Sequence, residues 1–187
     1  MCKKVRDAAT TLIVDAQIVE AQAEWYRQAA EEFGPALVRL ARGYEIDAEK
    51  RRDLLQEIHL ALWRSFANFD ARCSLRTWVY RVAHNSAVSY ANRQKRSRHE
   101  ALVGLEDIEP IPVPADADRR IALERLTELI QRLKPIDREV ILLYLEGMDA
   151  AEIGELTGMS ARNVATKIHR IKTILARGFN EGVRHAG

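Results

Sequence analysis

The chain has 187 residues, 47% of them hydrophobic and 30% charged, and 29 lysines and arginines nearly balance 27 aspartates and glutamates, for a formal net charge of +2. That length buries one moderate core or two small ones, and the balanced charge means that a nucleic-acid partner would be met by local basic patches rather than a global field. Cys2 and Cys73 are too few for a disulfide scaffold or a zinc site, and the apolar run Leu12–Val14 is broken by Asp15 and Gln17, so a cytoplasmic protein without signal peptide or membrane insertion is expected.

Apolar residues recur at spacings of three and four through most of the chain, and alternation of β-branched residues is almost absent, which predicts an all-α fold. Residues 1–23 match no motif and are set apart as an N-terminal extension. Glu24 to Gly43 reads as one or more helices, interrupted near Gly34-Pro35. Asp53 is expected to start an amphipathic helix with Leu55, Ile58, Leu62 and Phe66 on one face. A loop, Ala67 to Ser74, leads into a long helix from about Leu75 to Gln94, packed through Leu75, Trp78, Val79, Val82 and Tyr90. Arg81, Asn85, Ser89 and Asn92 line another of its faces. Arg93, Lys95, Arg96 and Arg98 close it, a basic cluster suited to a helix C-terminus.

Between Leu102 and Asp118 stand Pro110, Pro112 and Pro114, three of the five prolines, with Glu106, Asp107, Glu109, Asp116 and Asp118. Helix cannot continue through that composition, so an extended acidic linker over residues 100–118 is expected to separate one small helical domain, 24–99, from another, 119–187. In the second domain Ile121 to Leu133 is periodic and ends at Lys134-Pro135. The next helix runs through Val140, Leu143 and Tyr144 to a stop at Gly147. Asp149 caps a short helix with Glu152 as its reciprocal partner, Thr157-Gly158 ends it, and Ser160 caps the last helix.

Short capped helix, tight turn, longer helix is the order of a helix-turn-helix. Val164, Ile168, Ile171 and Leu175 must face the core, which leaves Asn163, Thr166, Lys167 and Arg170 outward, bordered by Arg162 and Lys172. Amides and hydroxyls suit base edges, and cations suit phosphates or guanine. In the first domain Trp63, Phe66, Phe69, Trp78, Tyr80 and Tyr90 gather around the helices that end in the basic run, a mixture suited to single-stranded nucleic acid. Helical spacing assigns Trp63, Phe66 and Trp78 mainly to the core, which leaves Tyr80, Arg81, Asn85 and Ser89 as functional candidates. His169 has no second ligand at metal spacing. The chain has no glycine-rich phosphate loop, no paired histidines and no nucleophile with an evident base, so no catalytic residue, metal or cofactor is expected.

Two segments carry a resemblance to the extracytoplasmic-function branch of the bacterial sigma-70 family. Asp53 to Trp63 resembles its region-two helix that binds core RNA polymerase, and Ser74 to Asn85 resembles the helix that melts and reads the minus-ten promoter element. Leu133 to Leu175 is similar to the region-four helix-turn-helix that reads the minus-thirty-five element. The resemblance implies that Asp53, Gln56 and Glu57 contact polymerase. It implies that the Asn68 to Ser74 loop, with Phe69 and Asp70, holds a base flipped from the non-template strand, and that Arg81, Asn85, Ser89 and Arg93 face the minus-ten element. Ser160, Arg162, Asn163, Thr166, Lys167 and Arg170 would read the minus-thirty-five element. An anti-sigma protein is an implied partner, and the acidic linker would mimic a nucleic-acid strand inside the polymerase. Ala165, His84 and Ser89 depart from the residues common at their positions, so promoter sequence does not transfer. The alternatives are an operator-binding regulator with an N-terminal sensor domain, which would not need an aromatic helix ending in a basic run, and an enzyme, for which no motif speaks.

Overall fold

The computed structural model describes residues 2–98 and 119–184, with the side chains of 19–94 and 120–179. The acidic linker lies outside these residues. Among the described residues there are seven helices and no strand: α1 Cys2–Tyr44, α2 Ala48–Phe66, α3 Leu75–Arg98, α4 Arg119–Arg132, α5 Pro135–Leu145, α6 Ala150–Thr157 and α7 Ala161–Arg184. The all-α expectation and the two helical units on either side of the linker are as observed, α1–α3 forming one and α4–α7 the other.

Three local departures have physical causes. First, α1 runs through Gly34-Pro35 without interruption. An internal proline costs roughly 3 kcal/mol. Here Ala29, Phe33, Leu37, Leu40, Ala41 and Tyr44 are buried on both sides of it, and their packing outweighs that cost. Residue 23 marks no break either, because Gln22 already donates to the Trp63 carbonyl of α2. Second, α2 starts well before Asp53. Asp47 is its N-cap, in extended conformation, with its carboxylate accepting from the backbone N–H groups of Glu49 and Lys50 at 2.9 Å each. Those hydrogen bonds hold the Asp47 carboxyl below its ordinary pKa. Third, the buried stripe of α2 is Leu54, Ile58, Leu62 and Phe66, while Leu55 is only half-buried.

In α3 the core positions are Val79, Tyr80, Ala83, Ala87 and Tyr90, with Leu75, Trp78 and Val82 half-buried at the edge. The second unit follows its expected pattern closely. Lys134-Pro135 opens α5, Gly147 after it takes φ +79°, and Val164, Ile168, Ile171 and Leu175 of α7 are all buried against α5 and α6. Gly178 brings α7 against α4, where an added Cβ would lie 3.3 Å from Leu129. The buried side chains of both units form one continuous apolar cluster.

Candidate nucleic-acid interface

The helix-turn-helix is set by its caps. Asp149 accepts from the N–H groups of Ala151 and Glu152, and the Glu152 carboxylate accepts from the Asp149 N–H at 2.8 Å, a complete capping box. Gly158 closes α6 in the left-handed conformation, φ +74°, which an L side chain rarely adopts. The turn then folds back onto Gly154, whose added Cβ would lie 2.6 Å from the Met159 carbonyl oxygen. Ser160 caps α7 by accepting from the Asn163 N–H at 3.3 Å.

On α7 this leaves Arg162, Asn163, Ala165, Thr166, His169, Arg170 and Lys172 exposed as one polar face. Thr166 donates back to the Arg162 carbonyl, which orients its methyl and hydroxyl locally. Lys167 behaves differently from its neighbours. Its ammonium reaches inward to Asp137 of α5 at 2.5 Å, and the Asp137 side chain is only 2% exposed. Lys167 is thus committed to a structural ion pair rather than standing in the open row. A lysine within an otherwise exposed run carries no local mark of this, because its partner is 30 residues away.

In the first unit Asp53, Gln56 and Glu57 are exposed on α2, and Arg81, Asn85 and Ser89 are exposed on α3 at intervals of one turn. The two rows meet at a groove of about 500 Å³ lined by Glu57, Leu60 and Arg64 of α2 and by Asn85, Ser89 and Arg93 of α3. Arg93 donates to Glu57 across it, so the residues expected to meet polymerase and those expected to meet DNA are electrostatically joined.

The Asn68 to Ser74 loop stands on a ring cluster. Phe69 is half-buried, with its ring centroid 5.1 Å from Trp25, 5.9 Å from Phe66 and 5.1 Å from Trp78. The Trp78 indole N–H donates to Ser65 Oγ at 3.0 Å. Phe69 and Trp78 therefore support the loop from below, while Asn68, Asp70, Ala71 and Arg72 are exposed on it. Ala71 takes φ +58°, and the Asp70 carboxylate accepts from the Arg72 N–H, which fixes the tip. Ser74 is the cap of α3, accepting from the Thr77 N–H at 3.1 Å.

Tyr80, placed with the functional candidates from sequence, does not join them. It is 3% exposed, packs edge-on against Phe33 and donates to Glu146 of the other unit at 3.3 Å. Burial pushes its phenol up to about 12. The sequence reasoning also did not single out Arg39, Arg76, Asp137, Arg138 and Glu146. His84 is 2% exposed, hydrogen-bonded through Nδ1 to the Tyr44 hydroxyl at 3.3 Å, and burial depresses it to about 3, so it is neutral. No helix among the described residues is long and apolar enough to cross a membrane.

Comparison with known proteins agrees with this geometry. The family described as Sigma-70 region 2 matches residues 29–97, and that described as Sigma-70, region 4 matches residues 123–175. The ECF RNA polymerase sigma factor SigE of Mycolicibacterium smegmatis is 30% identical over 87% of this chain and 65% of its own length. The RNA polymerase sigma factor YlaC of Bacillus subtilis is 26% identical over 71% of this chain and 79% of its own. Among solved structures, CnrH in complex with the cytosolic domain of CnrY superposes with a TM-score of 0.61 at 22% identity, over 88% of this chain and 94% of that one. Two family matches in order, one on α1–α3 and one on α4–α7, establish that the chain belongs to the extracytoplasmic-function branch of the sigma-70 family and is an RNA polymerase sigma factor, a transcription initiation factor.

Proposed function

We propose a division of labour between the two units, carried by the exposed row on α7 that follows the capped turn. Arg162, Asn163, Thr166 and Arg170 read the minus-thirty-five element in the major groove, with the N-terminus of α7 at Ser160 against the backbone. Lys167 supports this helix through Asp137 and contributes little to readout. Arg81, Asn85 and Ser89 face the minus-ten element, and the loop tip around Asn68 and Asp70 takes a base extruded from the non-template strand. Extrusion costs a few kcal/mol of stacking, which a loop already held in place by the Phe69 ring cluster helps to offset. Asp53, Gln56 and Glu57 contact core polymerase.

The polymerase performs the phosphoryl chemistry, and this chain supplies promoter choice and melting without an enzymatic activity of its own, in the cytoplasm. The Bartonella quintana sigma factor RpoE, 19% identical and alike in fold with a TM-score of 0.63, was solved with the anti-sigma factor NepR. An anti-sigma partner for this chain fits the groove between α2 and α3, where Leu60 is 48% exposed between charged walls.

Run-off transcription with bacterial core RNA polymerase on a pool of promoter fragments tests the assignment. Discrete start sites are expected with this protein, their loss with Asp53→Ala/Gln56→Ala, and altered promoter choice with Asn163→Ala. Duplex binding with no core-dependent initiation would overturn it in favour of an operator-binding regulator.

A further inference from the structure

One residue gathers most of the polar contacts between the two units. Glu146 follows the last turn of α5, and its side chain is 12% exposed. Arg39 of α1 donates to its carboxylate twice, Nε at 2.8 Å and Nη2 at 2.6 Å, and Tyr80 of α3 donates to the same group at 3.3 Å. Arg76 of α3 donates to the Glu146 main-chain carbonyl at 2.6 Å and lies over the Tyr80 ring. Three donors of the first unit thus converge on one acidic residue of the second. Beside them Leu142 of α5 packs so closely on Gly43 of α1 that an added Cβ would come within 2.7 Å.

We propose that Glu146 is the pin of an intramolecular latch that holds the two promoter-binding units against each other, and that the latch must release before one molecule can occupy both promoter elements. The inference rests on the two-element assignment above, and the reason is geometric. Sites named for positions ten and thirty-five are roughly 25 base pairs apart, on the order of 85 Å of duplex. A compact chain of this length has a radius of gyration of about 16 Å and is on the order of 40 Å across. The latched form cannot place α3 and α7 on both sites at once. The twenty residues between Arg98 and Arg119 reach at most about 70 Å when fully extended, enough to carry the units apart once Glu146 lets go.

The contact is built to be reversible. Bidentate guanidinium–carboxylate geometry and a nearly dry Glu146 give it direction, while the Arg39 side chain is 59% exposed and open to competition by water and salt. The Gly43 contact adds an apolar closure that salt does not weaken.

Small-angle X-ray scattering on the full-length protein tests the latch without polymerase or DNA, so its outcome is independent of the promoter assignment. The wild type is expected to be compact at low salt. Glu146→Gln, Arg39→Met and the wedge Gly43→Leu are expected to raise the open fraction roughly fivefold, and Glu146→Gln with Arg39→Met together should do little more than either alone. Unchanged helical circular dichroism certifies that the units stay folded, and the wedge touches no charged group. Run-off at limiting core polymerase is expected to rise in the opened variants. Scattering identical to wild type in Glu146→Gln and Gly43→Leu, or an already open wild type, would overturn the latch while leaving the family assignment intact. Opened variants with unchanged run-off would overturn the requirement for release.

Discussion

Acidification should destabilise this protein through His84. The ring is buried and neutral, with its pKa near 3 in the fold against 6.5 for an ordinary histidine, because burial penalises the imidazolium. The unfolded chain therefore binds a proton that the folded chain refuses between those two values. Stability is fully present above the unfolded value and is lost as pH falls below it. One unit below 6.5, the loss is about 1.4 kcal/mol from this residue alone. Urea unfolding of the wild type and His84→Gln at about pH 8 and about pH 5.5 isolates it, because the variant cancels the proton uptake whatever its own loss of the Tyr44 hydrogen bond. The wild type should lose about 1.4 kcal/mol more than the variant across that interval. Equal losses would mean that the ring charges within the fold, and the neutral assignment would fail.

Asp149→Ala removes the side-chain acceptor of the capping box, leaving the Ala151 and Glu152 N–H groups without it, and should lower stability by about 1 kcal/mol while weakening duplex binding, as measured by thermal melting and fluorescence anisotropy. Gly154→Ala drives a Cβ into the Met159 carbonyl oxygen, which is backbone and cannot swing aside, so the turn must open. Loss of minus-thirty-five binding with α1–α3 still folded is the expected result, and normal binding would show that the turn has slack. The Asp137–Lys167 pair should be asymmetric. Lys167→Ala leaves a 2%-exposed carboxylate without its cation and should cost about 3 kcal/mol, whereas after Asp137→Ala the lysine, already 28% exposed, can turn to solvent at about 1 kcal/mol. Equal melting shifts in the two variants would contradict the burial difference.

The helix-turn-helix was legible because its determinants are local. Asp149 and Glu152 stand three apart, Gly158 marks the left-handed stop, Ser160 the next cap, and the buried positions of α7 follow helical spacing without exception. The candidates that moved were decided at long range. Tyr80 resembles an exposed aromatic next to Arg81 until Glu146, 66 residues on, is folded over it, and Lys167 reads as a DNA-facing cation until Asp137 claims it. Pro35 misled for the same reason, since the packing that tolerates it comes from α2 and α3. The start of α2 differs from these, because its determinant is local: Asp47 before Ala48-Glu49 carries the signal of a cap.

The two faces of α7 are nearly disjoint. Its inward side chains, Val164, Ile168, Ile171 and Leu175, hold α5 and α6, and the pull of Asp137 on Lys167 adds a fixed anchor to that side. The outward residues Arg162, Asn163, Ala165 and Thr166 are exposed and lie outside the buried cluster that holds the helix in place. With the proposed readout, substitution there is expected to alter which duplex is preferred at little cost in folding, which makes the outer strip a replaceable panel on a fixed chassis. A lineage carrying this scaffold could acquire new target sites by changing a few side chains, with the small, exposed Ala165 as the open slot in the middle of the panel.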